Sequence, residues 1–419
     1  MTRRVVVTGI GVVAPGAVGR EKYWGNLTAG RTSTRGLTLC DPAPFRSKVA
    51  AEVDFDPLAA GLSEEQAHNL DRASQFALTA AREALDDAQL GDSYDPRRMG
   101  VSLGSAVGAT TALERVYRQM SNEGQLWTVK SDAPPALYDY FVPSSFVAEI
   151  AALANAQGPG ALISTGCTSG IDSVGNAAEL IHDGRADIMI TGASDAPISP
   201  ITVACFDTIK ATSTYNDTPE SASRPFDATR GGFVLGEGAA VLILEELESA
   251  RRRHAPIYAE IKGYGSRCNG YHMTGLRPDG AELASAVTTA LDEGRVNAVD
   301  IDYVNAHGSG TKQNDRHETA ALKRSLGEHA YRVPISSIKS MIGHSLGAIG
   351  SLEIAACALA IRDNVVPPTA NLHNNDPELD LDYVPLTARS QRVDTVLTTG
   401  SGFGGFQSAM VLQALGGRG

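Results

Sequence analysis

Three stretches of the 419-residue sequence set reactive side chains among glycines. In Ser164-Thr-Gly-Cys-Thr-Ser-Gly170, Cys167 lies between a strand-like apolar run and the start of a helix-like one. A thiol there faces the free amides and positive dipole end of a helix, which predicts a pKa below the usual ~8.5 and a nucleophilic thiolate. His307, in Tyr303-Val-Asn-Ala-His-Gly-Ser-Gly-Thr311, stands at a strand end before glycines and hydroxyls, in a loop suited to exposing a side chain to a site. His344, in Gly343-His-Ser-Leu-Gly347, opens a second helix. Two neutral imidazoles beside a thiol can stabilise a developing enolate or oxyanion by hydrogen bonds. Gly400-Ser-Gly-Phe-Gly-Gly405 lets backbone amides approach closely, completing an oxyanion hole with the Cys167 amide.

Two rival patterns point to other chemistry. Gly343-His-Ser-Leu-Gly347 also matches the GxSxG nucleophile elbow, with Ser345 as the nucleophile of a serine hydrolase or acyltransferase. The triad that fold requires is poorly supplied, since only His373 follows, in a Pro- and Asn-rich loop. Thr8-Gly-Ile-Gly-Val-Val-Ala14 nearly matches a dinucleotide fingerprint, but Pro15 and Gly16 interrupt it where a helix should open, so it reads as a structural turn.

These segments need elements to carry them. Apolar runs at Arg4–Thr8, Met99–Leu103, Ala161–Ser164, Ile188–Thr191, Ala239–Leu244, Ile257–Tyr264, Tyr303–Ala306 and Val396–Thr399 read as strands, alternating with helix-like segments such as Asp71–Leu90. That alternation predicts α/β layering. The two glycine-bounded pentapeptides lie 177 residues apart (166 to 343, 170 to 347) and each opens a helix, which predicts two related halves meeting at one site. The charged run Arg251-Arg-Arg-His-Ala-Pro256 places the boundary between 1–253 and 254–419. Lys and Arg number 36 against 48 Asp and Glu, so a net charge of -12 disfavours nucleic acid. No apolar stretch approaches the ~18 to 20 residues of a membrane span. Five scattered cysteines, without a CxxC pair or zinc-like spacing, predict no metal and a reducing, cytoplasmic setting.

Taken together, STGCTSG, SRPFDATRGGFVLGEGAA, NAHGSGTKQNDRHE, SSIKSMIGHSLGAIGSLE and GSGFGGFQSA resemble the β-ketoacyl synthase family over essentially the whole chain. Within it they are most similar to the ketosynthase alpha subunit of bacterial type II polyketide synthases, enzymes of antibiotic biosynthesis. The resemblance implies a thiolase-type fold, two similar halves in a five-layered αβαβα arrangement. It implies that Cys167 takes an acyl chain from the phosphopantetheine arm of acyl carrier protein, and that His307 and His344 assist malonyl decarboxylation and condensation. By the same resemblance Lys339 pairs with Glu318, Ser309 and Thr311 hold the pantetheine arm, and Phe403 is both gate and oxyanion amide. Asp315 and Glu353 fall to structural roles. HGSGT, where fatty acid synthases usually carry HGTST, favours the polyketide branch.

The stretch Glu64–Arg72 lacks the paired basic residues common on carrier-binding surfaces, leaving Lys210 and Arg72 as candidates to meet an acidic carrier protein. The implied partner is a homologous chain-length factor with glutamine in place of the nucleophile, forming a heterodimer; no metal or redox cofactor is implied. The alternatives are a homodimeric β-ketoacyl-acyl carrier protein synthase II of fatty acid synthesis, a non-catalytic scaffold, and the Ser345 acyltransferase.

Overall fold

The computed structural model describes residues 3–91, 94–126 and 134–417. The first strand, β1 (Val5–Ala14), is buried at every position, as a strand covered on both faces must be. It lies mid-sheet in a path of ten strands, with β2 (Met99–Gly104), β3 (Gly160–Ile163), β4 (Ile188–Asp195) and β5 (Gly238–Glu246) on one side. On the other are β6 (Ala259–Cys268), β7 (Tyr303–Asn305), β8 (Ile335–Ser336), β9 (Thr395–Gly402) and β10 (Phe406–Gln413). The order is β3-β2-β4-β5-β1 and then β6-β10-β9-β7-β8, so each group of five runs third, second, fourth, fifth, first from its outer edge. The outer strands pair in parallel and the inner ones antiparallel in both groups. An antiparallel pairing of Val5–Val7 with Ala259–Ile261 is the hydrogen-bonded seam between them.

Helices cover both faces. Those that bear on the layers and the site are, in chain order, α1 (Arg72–Asp87), α2 (Ser169–His182), α3 (Pro200–Thr208), α4 (Ala281–Gly294), α5 (Lys312–Leu326) and α6 (Ile349–Asp363). α6 is buried at every position from Ile349 to Ile361, and a helix buried all round lies between two layers. It packs on α2 between the two groups of strands, with α1 outside one and α4 and α5 outside the other. This is the αβαβα thiolase-type layering. Val174 and Ile181 of α2 and Leu352 and Ala356 of α6 belong to one apolar core shared by both groups. No helix among the described residues is long and apolar enough to cross a membrane.

The glycines of Thr8–Ala14 prove to have another use than the expected turn. β1 runs straight through them, and α1 rests on the strand so closely that a Cβ at Gly11 would lie 1.9 Å from the Ala80 carbonyl oxygen, and one at Gly9 2.2 Å from that of Ala84. Gly11→Ala is therefore expected to push α1 off β1 and cost about 1 to 3 kcal/mol, read as a lower Cm at unchanged m value in urea. The second departure is β10. It follows the Gly-rich segment at once, because β9 continues to Gly402 and only Phe403–Gly405 makes the turn.

Candidate active site

β3 ends at Ile163, and the chain turns through Gly166, whose φ of 61° suits glycine, into a short 3-10 turn (Gly166–Thr168) that carries Cys167 to the start of α2. The β9–β10 hairpin tip abuts this turn: a Cβ at Gly402 would lie 3.2 Å from the Cys167 nitrogen, and one at Gly166 3.2 Å from the Phe403 carbonyl oxygen. The backbone N–H groups of Phe403 and of Cys167 itself both favour a negative sulfur. Burial nevertheless pushes the thiol up to about 11, against the pull of the Lys339 charge and these amides. Cys167 is half-buried by its accessible surface, and the loss of water there opposes the depressed pKa expected of a helix N-terminus.

His307 lies two residues past the end of β7, and its backbone N–H donates to Glu318 Oε1 at 2.7 Å while the Gly308 N–H donates to Oε2 at 2.7 Å. Thr399 Oγ1 adds a third donor to Oε1 at 2.7 Å. Glu318 is thereby committed to fixing the His307 loop. Lys339 does not pair with it, contrary to expectation. Its Nζ donates to the His307 carbonyl and ion-pairs with Glu353, which projects from the buried α6 and has no other cationic partner among the described residues. Burial raises the Glu353 carboxyl to about 7 even so.

His344 is held through its backbone, donating to the Val234 carbonyl at 2.8 Å and accepting from the Gly236 N–H at 2.9 Å. The His307 and His344 rings stand edge to face, 5.3 Å apart at 81°. Both Nδ1 atoms are buried without a hydrogen-bond partner, which leaves Nε2 as the nitrogen open to the cavity. Burial first, then the Lys339 charge, hold both imidazoles well below the usual 6.5. Nitrogen-edited NMR should accordingly show both rings neutral from pH 8 down to 6; a protonation midpoint inside that window would contradict the assignment.

One cavity brings Cys167, His307, His344, Phe403, Ser309 and Thr311 together. The hydroxyls of Ser309 and Thr311 lie 3.0 Å apart, and Thr311 caps α5 by accepting from the Asn314 N–H. Phe206, Phe233 and Leu346 add an apolar wall, with Thr274 and Leu276 beside them. Sequence reading did not single these out, for an apolar side chain carries no sign of which cavity it lines. Phe206 faces Phe403 at 6.3 Å and Phe233 meets the His344 ring at 5.2 Å.

Other candidates fall outside. Ser345 is 1% exposed, its Oγ has no hydrogen-bond partner, and it does not line the cavity, so no histidine activates it and the elbow reading fails. Arg72 is spent on Glu237, with Nε to Oε2 at 2.9 Å and Nη2 to Oε1 at 2.7 Å, and on the Val53 carbonyl at 2.8 Å; it is not a free surface charge. Lys210 is exposed just beyond α3, the helix that carries Phe206, and forms no ion pair among the described residues. No group of three or more His, Cys, Asp or Glu suited to a metal ion occurs among the described residues.

Residues 2–250 match the family model of the β-ketoacyl synthase N-terminal domain and residues 258–373 that of the C-terminal domain. The chain belongs to the β-ketoacyl synthase family. It is accordingly a condensing acyltransferase. Among its relatives, the tetracenomycin polyketide synthase ketoacyl synthase alpha subunit of Streptomyces glaucescens is 63% identical, over 98% of this chain and 97% of its own. The oxytetracycline polyketide putative beta-ketoacyl synthase 1 of Streptomyces rimosus is 64% identical with the same coverage. The 3-oxoacyl-[acyl-carrier-protein] synthase 2 of Coxiella burnetii is 40% identical, over 98% of both chains. A solved type II PKS acyl-carrier protein in complex with its ketosynthase bound to the hexaketide is similar at a TM-score of 0.93 and 38% identity, covering 99% of this chain and 100% of that one.

Proposed function

We propose that this β-ketoacyl synthase is the ketosynthase alpha subunit of a type II polyketide synthase, joining malonyl units to a growing chain held on Cys167. The observation that carries the reading is the convergence of a thiol, two backbone amides and two neutral imidazoles on one cavity. The Cys167 sulfur attacks the thioester carbonyl of an acyl chain on carrier protein, and the amides of Cys167 and Phe403 hold the resulting oxyanion. The tetrahedral intermediate collapses, the acyl chain stays on sulfur, and the thiol proton leaves with the pantetheine thiol. Malonyl-carrier protein then binds, with Ser309 and Thr311 placed to hold its pantetheine arm. Carbon dioxide departs, the enolate oxygen is held by Nε2 of His307 and His344, and the enolate carbon attacks the Cys167 thioester, lengthening the chain by two carbons and expelling the sulfur as a thiolate, which takes a proton from solvent to restore the thiol.

The partners are an acyl carrier protein, met in part by Lys210, and a chain-length factor as the second subunit. Identity of 63% to a polyketide alpha subunit against 40% to a 3-oxoacyl synthase favours this reading over fatty acid elongation. The chain divides at 253/254, between β5 and β6, where the strand order begins to repeat. Five free cysteines suit work in the cytoplasm. Peptide mass mapping after incubation with acyl- and malonyl-carrier protein, with the native partner co-expressed, tests the reading. Acyl mass on the peptide containing Cys167 is the expected result; acyl mass on Ser345 with Cys167 unmodified would overturn it.

A further inference from the structure

Behind the nucleophile turn lies a buried carboxylate that takes no part in either half-reaction. Asp172, in the first turn of α2, is 5% exposed and forms no ion pair with any described Lys or Arg. Hydroxyls surround it instead. Oδ2 accepts from Thr165 Oγ1 at 2.5 Å and from Thr168 Oγ1 at 2.8 Å, and Oδ1 accepts from Tyr264 OH at 2.8 Å and Ser408 Oγ at 2.5 Å. An ionised carboxylate is the side chain able to accept four such bonds at once. A buried charge without a counter-ion is costly, so this arrangement calls for a reason beyond packing.

The two oxygens serve different parts of the site. Thr165 and Thr168 flank Cys167 in the nucleophile turn, whereas Tyr264 is on β6 and Ser408 on β10, which begins immediately after the Phe403 turn. In the sheet ladder Ser408 lies opposite both Gly400 and Ser266, so holding Ser408 holds the hairpin that carries Phe403. The hairpin in turn rests on the nucleophile turn and the start of α2: a Cβ at Gly400 would meet Ile171 Cδ1 at 2.9 Å and Thr168 Cγ2 at 3.3 Å, and one at Gly402 the Thr165 carbonyl oxygen at 3.1 Å. We propose that Asp172 is a positioning residue that clamps the nucleophile turn to the β9–β10 hairpin and thereby sets the spacing between the Cys167 and Phe403 amides. The inference rests on the reading of those amides as the oxyanion hole. Asp172 lies outside the residues lining the cavity.

The test separates two reactions of one sulfur. Attack of Cys167 on an acyl-pantetheine thioester passes through an oxyanion; its alkylation by iodoacetamide does not. In Asp172→Asn a single amide oxygen replaces two carboxylate oxygens, and two of the hydroxyls lose their acceptor. Acylation of the full-length chain by an acyl-pantetheine thioester, followed by intact mass, is expected to fall about 10²-fold, the loss typical of one misplaced oxyanion donor. Alkylation under the same conditions should change by less than about threefold, since no oxyanion forms. Parallel loss of both reactions, or no loss of either, would overturn the proposal. Should Asp172→Asn fail to fold, Tyr264→Phe and Ser408→Ala each remove one hydroxyl from Oδ1, and each is expected to slow acylation about fivefold while sparing alkylation; equal effects on both reactions would again overturn it. Wild-type protein that alkylates at Cys167 but is never acylated there would overturn the condensing reading itself, and this inference with it.

Discussion

Cys167→Ala is expected to bring chain elongation down to background, a loss on the order of 10⁶-fold, the scale seen when an acyl-transfer enzyme loses its nucleophile. The two amides and two imidazoles remain, yet no atom is left to carry the acyl chain between half-reactions. Cys167→Ser should do little better. The site pushes even a thiol up to about 11, and a hydroxyl in the same place ionises less still. Product formation from carrier-bound substrates, measured with the partner subunit present, checks both variants. Undiminished product from Cys167→Ala would mean that the chain acts as a scaffold and that the chemistry is done elsewhere.

Lys339→Met is expected to cost about 3 to 5 kcal/mol, because it strands a buried charge rather than replacing the pair. Lys339 and Glu353 are 1% and 0% exposed at their side chains, and Glu353 Oε2 already lacks a hydrogen-bond partner. The loss should depend on pH. With the lysine present Glu353 is raised to about 7, above the ~4.3 of an unfolded chain, so the folded state holds the extra proton and stability falls as pH rises through that interval. Removing the lysine, which lowers this value, moves the folded pKa higher still and extends the fall into alkaline solution. The deficit measured by urea unfolding should therefore be larger at pH 8.5 than at pH 5.5; equal deficits would show that Glu353 is not the group left exposed to the loss. His307 and His344, released from the same charge, should titrate closer to 6.5, and the Cys167 thiol should rise further.

What could be read in advance follows a physical line. Strand-like runs such as Met99–Leu103 and Ile188–Thr191 are short, apolar and bounded by turn residues, and each became a strand, extended by one or more residues. The matching glycines around Cys167 and His344 were legible because backbone geometry demands them. β10 escaped because Gly400–Gly405 reads as open loop, when half of it is the end of β9. The choice of Glu353 over Glu318 as the partner of Lys339 escaped for a different reason. Both carboxylates are plausible along the chain, and the distinction lies in which of them has its oxygens filled by backbone amides. The opposing pull of burial on the Cys167 thiol has no sign in the sequence, because a helix end is visible there and the surroundings that exclude water are not. Asp172 gave no signal at all, since its four partners are drawn from three separate elements.

The central layer also bears on how the protein is made. α2 and α6 pack against each other with the strands of both groups, yet α2 ends at His182 and α6 begins at Ile349. At ribosomal rates of about 5 to 20 residues per second, α2 emerges roughly 10 to 30 seconds before the helix that covers it. During that interval the apolar face formed by Ile171, Val174, Ala178 and Ile181 lacks the contacts that α6 and β10 later supply. Contacts so distant along the chain close slowly and leave an aggregation-prone species waiting. Heterologous yield should thus be limited by the nascent chain, improving with slower synthesis or added chaperone more than with gains in the stability of the finished fold.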